Sequence, residues 1–226
     1  MDEVGADISK ARIAVLAVCT AMSLFGVALV LVCLPPSTHL ALDRARSAEL
    51  LGLSPTTVYE VSDQTIAELF VGPGTFDIEV GGDPFYGAEE TLHLTEVHRL
   101  IRWVVSIALI AALYVAFAFR WGKADPEVWQ GIRIGGFLLI AVLSLLGAAA
   151  AVGFDATFGA FHSVFFPRGG FRFDPLLDRI VVLYPPAFWQ IITIQLIATA
   201  IALSITAVWI ASRRIRRPAT VQDQRP

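Results

Sequence analysis

The chain has 226 residues, 56% of them hydrophobic and 16% charged, with a formal net charge of −3 and a mean hydropathy of +0.67. A soluble domain usually carries about 25% charged residues. The composition therefore excludes an ordinary water-soluble globular domain and predicts a membrane protein.

Four uncharged apolar runs hold the excess, predicting membrane-spanning helices over about 13–34, 100–119, 134–154 and 187–212. Each is long enough, or nearly so, to cross a hydrocarbon core of about 30 Å at about 1.5 Å per residue. Lys10 and Arg12 precede the first run, as in a signal peptide. The run is too long for a typical h-region and ends in Leu34-Pro35-Pro36 without a small-x-small site, so it reads as a retained anchor. Cys19 and Cys33 both lie within it and read as packing residues.

The next segment, 35–97, is too long for a simple connector. It predicts a helix over Leu40 to Leu51 ended by Gly52, then a strand-like or irregular piece at Thr56 to Val61. Ser62 and Asp63 resemble a cap for a helix over Gln64 to Phe70. Gly72-Pro73-Gly74 is a turn, and Phe76 to Val80 alternates as a short strand would until Gly81-Gly82-Asp83-Pro84 breaks it. From Ala88 the chain is helical into the second span. The expectation is a four-helix membrane bundle, all-α in its spans, with a small α+β extracytoplasmic cap.

Beyond the third span, Phe154, Phe158, Phe161 and Phe165 recur at helical spacing, which predicts that the third helix continues outward through Phe165. Pro167 stops it and Gly169-Gly170 turns the chain. Asp174 and Pro175 predict the start of a short helix over Leu176 to Leu183. This second extracytoplasmic segment, 155–186, ends at Tyr184-Pro185-Pro186.

Lys10, Arg12, Arg120, Lys123, Arg133, Arg213, Arg214, Arg216, Arg217 and Arg225 all fall on one side, in short segments. By the positive-inside rule that side is cytoplasmic, which places both termini there and the longer segments outside. The C-terminal Arg-Arg-Ile-Arg-Arg cluster, directly after a span, reads as an anchor to anionic headgroups rather than a nucleic-acid site.

All four histidines, His39, His93, His98 and His162, fall on the outer side. His93 has Glu89 and Glu90 before it and Glu96 after it. On a helix, Glu89 and Glu96 can share its face, and a carboxylate on one ring nitrogen raises the basicity of the other. The alternative is a helix end decorated with solvated charges. His162 stands in Phe158-Gly159-Ala160-Phe161-His162-Ser163-Val164-Phe165-Phe166, where a lone imidazole at membrane depth calls for a partner or a function. Its alternative is a buried histidine satisfied by a backbone carbonyl. Arg168, Arg172 and Arg179 can hold an oxyanion or simply snorkel. Tyr86 and Tyr184 can donate hydrogen bonds or form part of an interfacial belt. No phosphate-binding glycine loop, zinc-type cysteine spacing or nucleophile elbow is present, and no cofactor is called for.

The stretch Glu90 to Arg99, with His93-Leu94-Thr95-Glu96-Val97, resembles a His-hydrophobic-x-Asp-Val signature that opens the second span in a family of four-span bacterial membrane proteins. Phe161-His162-x-x-Phe165-Phe166-Pro167, with Phe173-Asp174-Pro175, Asp178, Leu183-Tyr184-Pro185 and Phe188-Trp189, resembles the same family's second block. This is the lipoprotein intramolecular transacylase family. The resemblance implies transfer of the sn-2 acyl chain of a diacylglyceryl-modified lipoprotein to the α-amine of its N-terminal cysteine. It implies His93 and His162 as the active pair, with Glu96 beside them, and diacylglyceryl lipoproteins and the bilayer as partners; Arg168, Arg172 and Tyr184, polar residues that can reach the same region, are expected in support. Glu96 stands where the family has Asp. Two other readings fit the residues: a non-catalytic accessory or lipid-binding protein, and a metal-dependent hydrolase using His93, His162 and Glu96.

Overall fold

The computed structural model describes residues 2–122, 125–166 and 173–216. Among these, four helices are long and apolar enough to cross a membrane: α1 (Asp2–Val32), α5 (Ala88–Trp121), α6 (Pro126–Val152) and α9 (Pro186–Ile215). Between α1 and α5 lie α2 (Pro35–Ala45), α3 (Ser47–Leu51), α4 (Pro55–Phe70) and two strands, β1 (Glu79–Val80) and β2 (Asp83–Pro84). Between α6 and α9 lie α7 (Phe154–Phe165) and α8 (Ile180–Leu183). The fold is mostly helical, and the β content of the expected cap comes to two two-residue strands.

The chain divides into two compact units. The first comprises Met1–Ala28, Ile107–Leu145 and Ala198–Pro226. Its helices approach closely through small residues, as lipid offers no hydrophobic drive to hold them together. A Cβ on Gly135 would stand 2.4 Å from the Ala17 carbonyl oxygen, and one on Gly136 would stand 2.6 Å from Val208. Ion pairs close one end: Arg12 lies 2.6 Å from Asp125 and 3.0 Å from Glu127, and Ser9 donates to Glu127.

The second unit comprises Leu29–Ser106 and Leu146–Ile197. Its core gathers Leu42, Val58, Phe76, Phe85, Leu94 and Leu183, all nearly inaccessible. Fully burying one such side chain is worth about 1.5–3 kcal/mol. Several local expectations are corrected here. The helix expected over Leu40 to Leu51 is broken at Arg46, which adopts φ 59°, and resumes as α3 until Gly52 caps it at φ 65°. The strand-like reading of Thr56 to Val61 fails because Ser54 caps a continuous α4: its hydroxyl accepts from Thr57 N–H, with Pro55 at the first helical position. The β-branched run masked the helical face formed by Val58, Val61, Ser62 and Thr65, all buried. Ser62 and Asp63 are therefore interior to the helix rather than its cap.

The expected strand Phe76 to Val80 contracts to Glu79–Val80, paired antiparallel with Asp83–Pro84. Gly81 (φ 68°) and Gly82 (φ 89°) form its two-residue turn, with both residues in the region a mirror-image hairpin turn demands. The third helix does not run through to Phe165. It stops at Val152, and α7 restarts at Phe154. Gly153 sits at the junction, its N–H donating to Ala149 O and its carbonyl accepting from Thr157 N–H. The helix expected from Leu176 is a turn, because Asp174 and Asp178 engage backbone N–H groups within 174–178; only Ile180–Leu183 is helical.

Candidate active site

His93 lies in the second turn of α5. Gly87 caps that helix, and Glu90, at its third position, reaches back to accept the Gly87 N–H at 2.6 Å, one half of a capping box. His162 lies in the last turn of α7, which the phenylalanine periodicity makes amphipathic. Both imidazoles are buried, at 7% and 8% exposure. Their ring centroids stand 6.2 Å apart and their planes differ by 25°.

The walls are aromatic. Phe166 and Phe173 meet the His93 ring at 5.0 and 5.4 Å. Phe158 lies 4.1 Å from the His162 ring, with Phe161 and Phe166 at 5.4 and 5.5 Å. His162 Nδ1 donates to the Phe158 carbonyl at 2.8 Å, so the proton sits on Nδ1 and the lone pair on Nε2. Burial lowers the pKa of His162 below the ordinary imidazole value, partly opposed by that carbonyl. It is therefore neutral, and a base, at neutral pH. His93 Nδ1 is buried with no hydrogen-bond partner among the described residues. A buried polar atom left unsatisfied is costly and marks a place where a substrate group can bind.

The other expected residues fall as follows. Glu96 lies one turn beyond His93, half-buried. Glu89, expected on the His93 face, points outward; the buried carboxylate is Glu90, 3% exposed, whose second oxygen accepts the Ile180 N–H at 2.6 Å. Tyr184 donates to Ser62 Oγ at 3.1 Å, and burial pushes its hydroxyl up to about 12. Among the described residues, Tyr184 reaches toward the histidine pair through intervening rings, Trp189 at 6.0 Å and then Phe158, 5.9 Å from Trp189. Arg168 and Arg172 lie outside the described residues. Arg179 is exposed, its guanidinium 5.4 Å from the Phe85 ring. Tyr86 donates to Thr65 Oγ1, whose own hydrogen is engaged by Val61 O.

The remaining two histidines are tied elsewhere. His39 stacks on Tyr59 at 4.1 Å and bonds Asp63 at 3.0 Å. His98 Nδ1 donates to Glu68 O at 2.8 Å beneath Gly74. Among the described residues no three His, Cys, Asp or Glu side chains stand together as a metal-binding group. Glu90 is the site-adjacent residue that sequence reasoning left without a role. Its position three residues after Gly87 was the available signal.

The pair can thus supply a base and a second imidazole to one reacting centre among buried rings and aromatic side chains. That is the equipment for moving an acyl group between heteroatoms.

The sequence model of the family described as lipoprotein intramolecular transacylase Lit matches residues 13–189. Among solved structures, the membrane-integral lipoprotein intramolecular transacylase Lit from Bacillus cereus superposes with a TM-score of 0.73 at 17% identity, covering 93% of this chain and 97% of that one. Two variants of that protein, with one histidine replaced by arginine or by alanine, match with TM-scores of 0.68 at 16% identity. They cover 94% of this chain and 94% and 96% of theirs. At that identity the structural likeness carries the fold. No curated protein matches this chain.

Proposed function

This chain belongs to the lipoprotein intramolecular transacylase family, and from that premise we propose that it moves the sn-2 acyl chain of a diacylglyceryl-modified lipoprotein to the α-amine of the N-terminal cysteine, using His93 and His162. The observation that carries this reading is the buried imidazole pair at 6.2 Å, one ring locked in a single tautomer and the other presenting an unpartnered nitrogen.

The α-amine nitrogen attacks the ester carbonyl carbon, and a C–N bond forms. His162 Nε2 takes the proton that the amine loses. The tetrahedral oxyanion collapses and the bond to the sn-2 oxygen breaks; the alkoxide takes a proton from the His93 imidazole as His93 takes the one that the His162 imidazolium carries, so His93 stays neutral throughout and both rings end neutral. The product is an amide and a free sn-2 hydroxyl. Because amine and ester belong to one substrate, proximity supplies a large part of the acceleration.

The site faces the outer leaflet in this reading, with both termini cytoplasmic, as the distribution of Lys and Arg supports. The test is mass spectrometry of lipoprotein N-termini from cells with and without the protein. The expected result is lyso-form lipoprotein that disappears with the gene and with His93→Ala or His162→Ala. Unchanged N-terminal acylation, with the folded protein present, overturns the reading.

A further inference from the structure

We propose that Glu90 is a positioning residue for this site: its buried carboxylate ties the first turn of α5, which presents His93, to the start of α8, and so holds the aromatic wall against the His93 ring. The proposal rests on the reading of His93 and His162 as the reacting groups.

A carboxylate taken out of water is costly unless its charge and lone pairs are answered. Glu90 is 3% exposed and, among the described residues, has no ion-pair partner. Its oxygens are answered by backbone. Oε2 accepts the Gly87 N–H and Oε1 accepts the Ile180 N–H, each at 2.6 Å. Bonds to an ionised acceptor are shorter and stronger than neutral ones. The first also sits where the α5 dipole favours a negative charge. The first bond is ordinary helix capping. The second is not, since it crosses to a segment 90 positions away in sequence.

That segment bears on the site. Phe173, seven residues before Ile180, packs its ring 5.4 Å from His93. Ile180 and Leu183 share the buried core with Leu94, the neighbour of His93. Glu90 and His93 are three apart on one helix and therefore adjoin on its surface. Both Glu90 oxygens are engaged by backbone, so neither is presented to a reacting atom. Its influence passes through His93, which makes it a positioning residue and not a catalytic one. Without the carboxylate the capping Gly87 N–H and the buried Ile180 N–H lose their acceptor, the 173–183 segment loses its tie, and water gains the His93 ring.

The experiment uses full-length protein in proteoliposomes with a synthetic diacylglyceryl lipopeptide. It compares wild type, Glu90→Gln, Glu90→Ala and His93→Ala. Glu90→Gln is the mild variant, with nearly the same shape and one acceptor oxygen, and it decides the question should Glu90→Ala fail to fold. The expected result for Glu90→Gln is faster exchange of the Ile180 amide, by about tenfold or more. Its kcat falls by about 10–100-fold, the scale of a small misplacement, while KM is nearly unchanged. The acid limb of its pH profile moves upward as water reaches the pair. Wild-type kcat in Glu90→Gln, or a change confined to KM, overturns the proposal while an inactive His93→Ala leaves the site reading intact. An active His93→Ala overturns both.

Discussion

The His93 and His162 imidazoles lie nearly parallel, 6.2 Å between centroids, although one comes from the start of a long helix and the other from the end of a short one. Two neutral rings so placed can act on one substrate in sequence, one accepting a proton while the other gives one. The arrangement has consequences that can be measured.

Removing either ring removes half of the proton traffic. His93→Ala and His162→Ala are each expected to lower the rate of N-acyl transfer by about 10²–10⁴-fold, the usual contribution of positioned acid–base groups. The double variant is expected to lose little more than the worse single one, because the two act as a unit. Single-turnover mass spectrometry of the lipopeptide product measures this.

The pH dependence follows from burial. Burial disfavours the charged imidazolium, so the pKa of His162 lies below the ordinary imidazole value. Activity that needs neutral His162 is present above that lowered value and is lost as pH falls through it. Phe158→Ala opens the ring to water and is expected to shift the acid limb upward. The α-amine titrates identically with both enzymes, so it cancels in the comparison. Stability has the same sign. The unfolded chain binds the proton at the higher, ordinary value, so the contribution is full above that value and declines as pH drops below it.

The buried Tyr184–Ser62 bond links the segment before α9 to α4. Ser62→Ala leaves the Tyr184 hydroxyl buried without this acceptor and is expected to cost about 1–3 kcal/mol. Adding Tyr184→Phe is expected to restore part of that loss. A double-mutant cycle of thermal unfolding in detergent gives the coupling energy.

Close approach in the first unit is equally exacting. Gly135→Ala places a methyl 2.4 Å from the Ala17 carbonyl oxygen and 2.7 Å from Thr20 Cβ, both on α1. Backbone cannot swing aside as a flexible side chain would. The expected loss is about 1–3 kcal/mol, the cost of overpacking, read as a lower midpoint in the same unfolding assay. Gly159→Ala, where a Cβ meets nothing within 4 Å, is the control.

The spans were legible because composition alone announces them: runs such as Ile134 to Phe154 have no soluble counterpart. What escaped was local competition. Gly153 sits between the apolar run of the third span and the phenylalanine periodicity that starts at Phe154, and a single glycine joining two helical patterns does not say that the helix stops there. Ser54-Pro55 is a helix start that the following Thr56-Thr57-Val58 disguised as a strand. His93 and His162 were each legible as candidates from their neighbours, and the expectation that they belong together came from a resemblance, since no local pattern joins residues so far apart in sequence. The role of Glu90 was hidden for a different reason. Its distant partner is a backbone N–H, which leaves no trace in residue identity.

The Gly81-Gly82 turn has a use beyond its own hairpin. Both glycines are exposed, and a Cβ on either meets no neighbouring atom within 4 Å. Lengthening such a surface loop costs little, since closure entropy grows only slowly with length. An epitope inserted between them turns the hairpin into a topology reporter: labelled by an impermeant reagent on intact cells, it shows directly on which side of the bilayer this part of the chain resides.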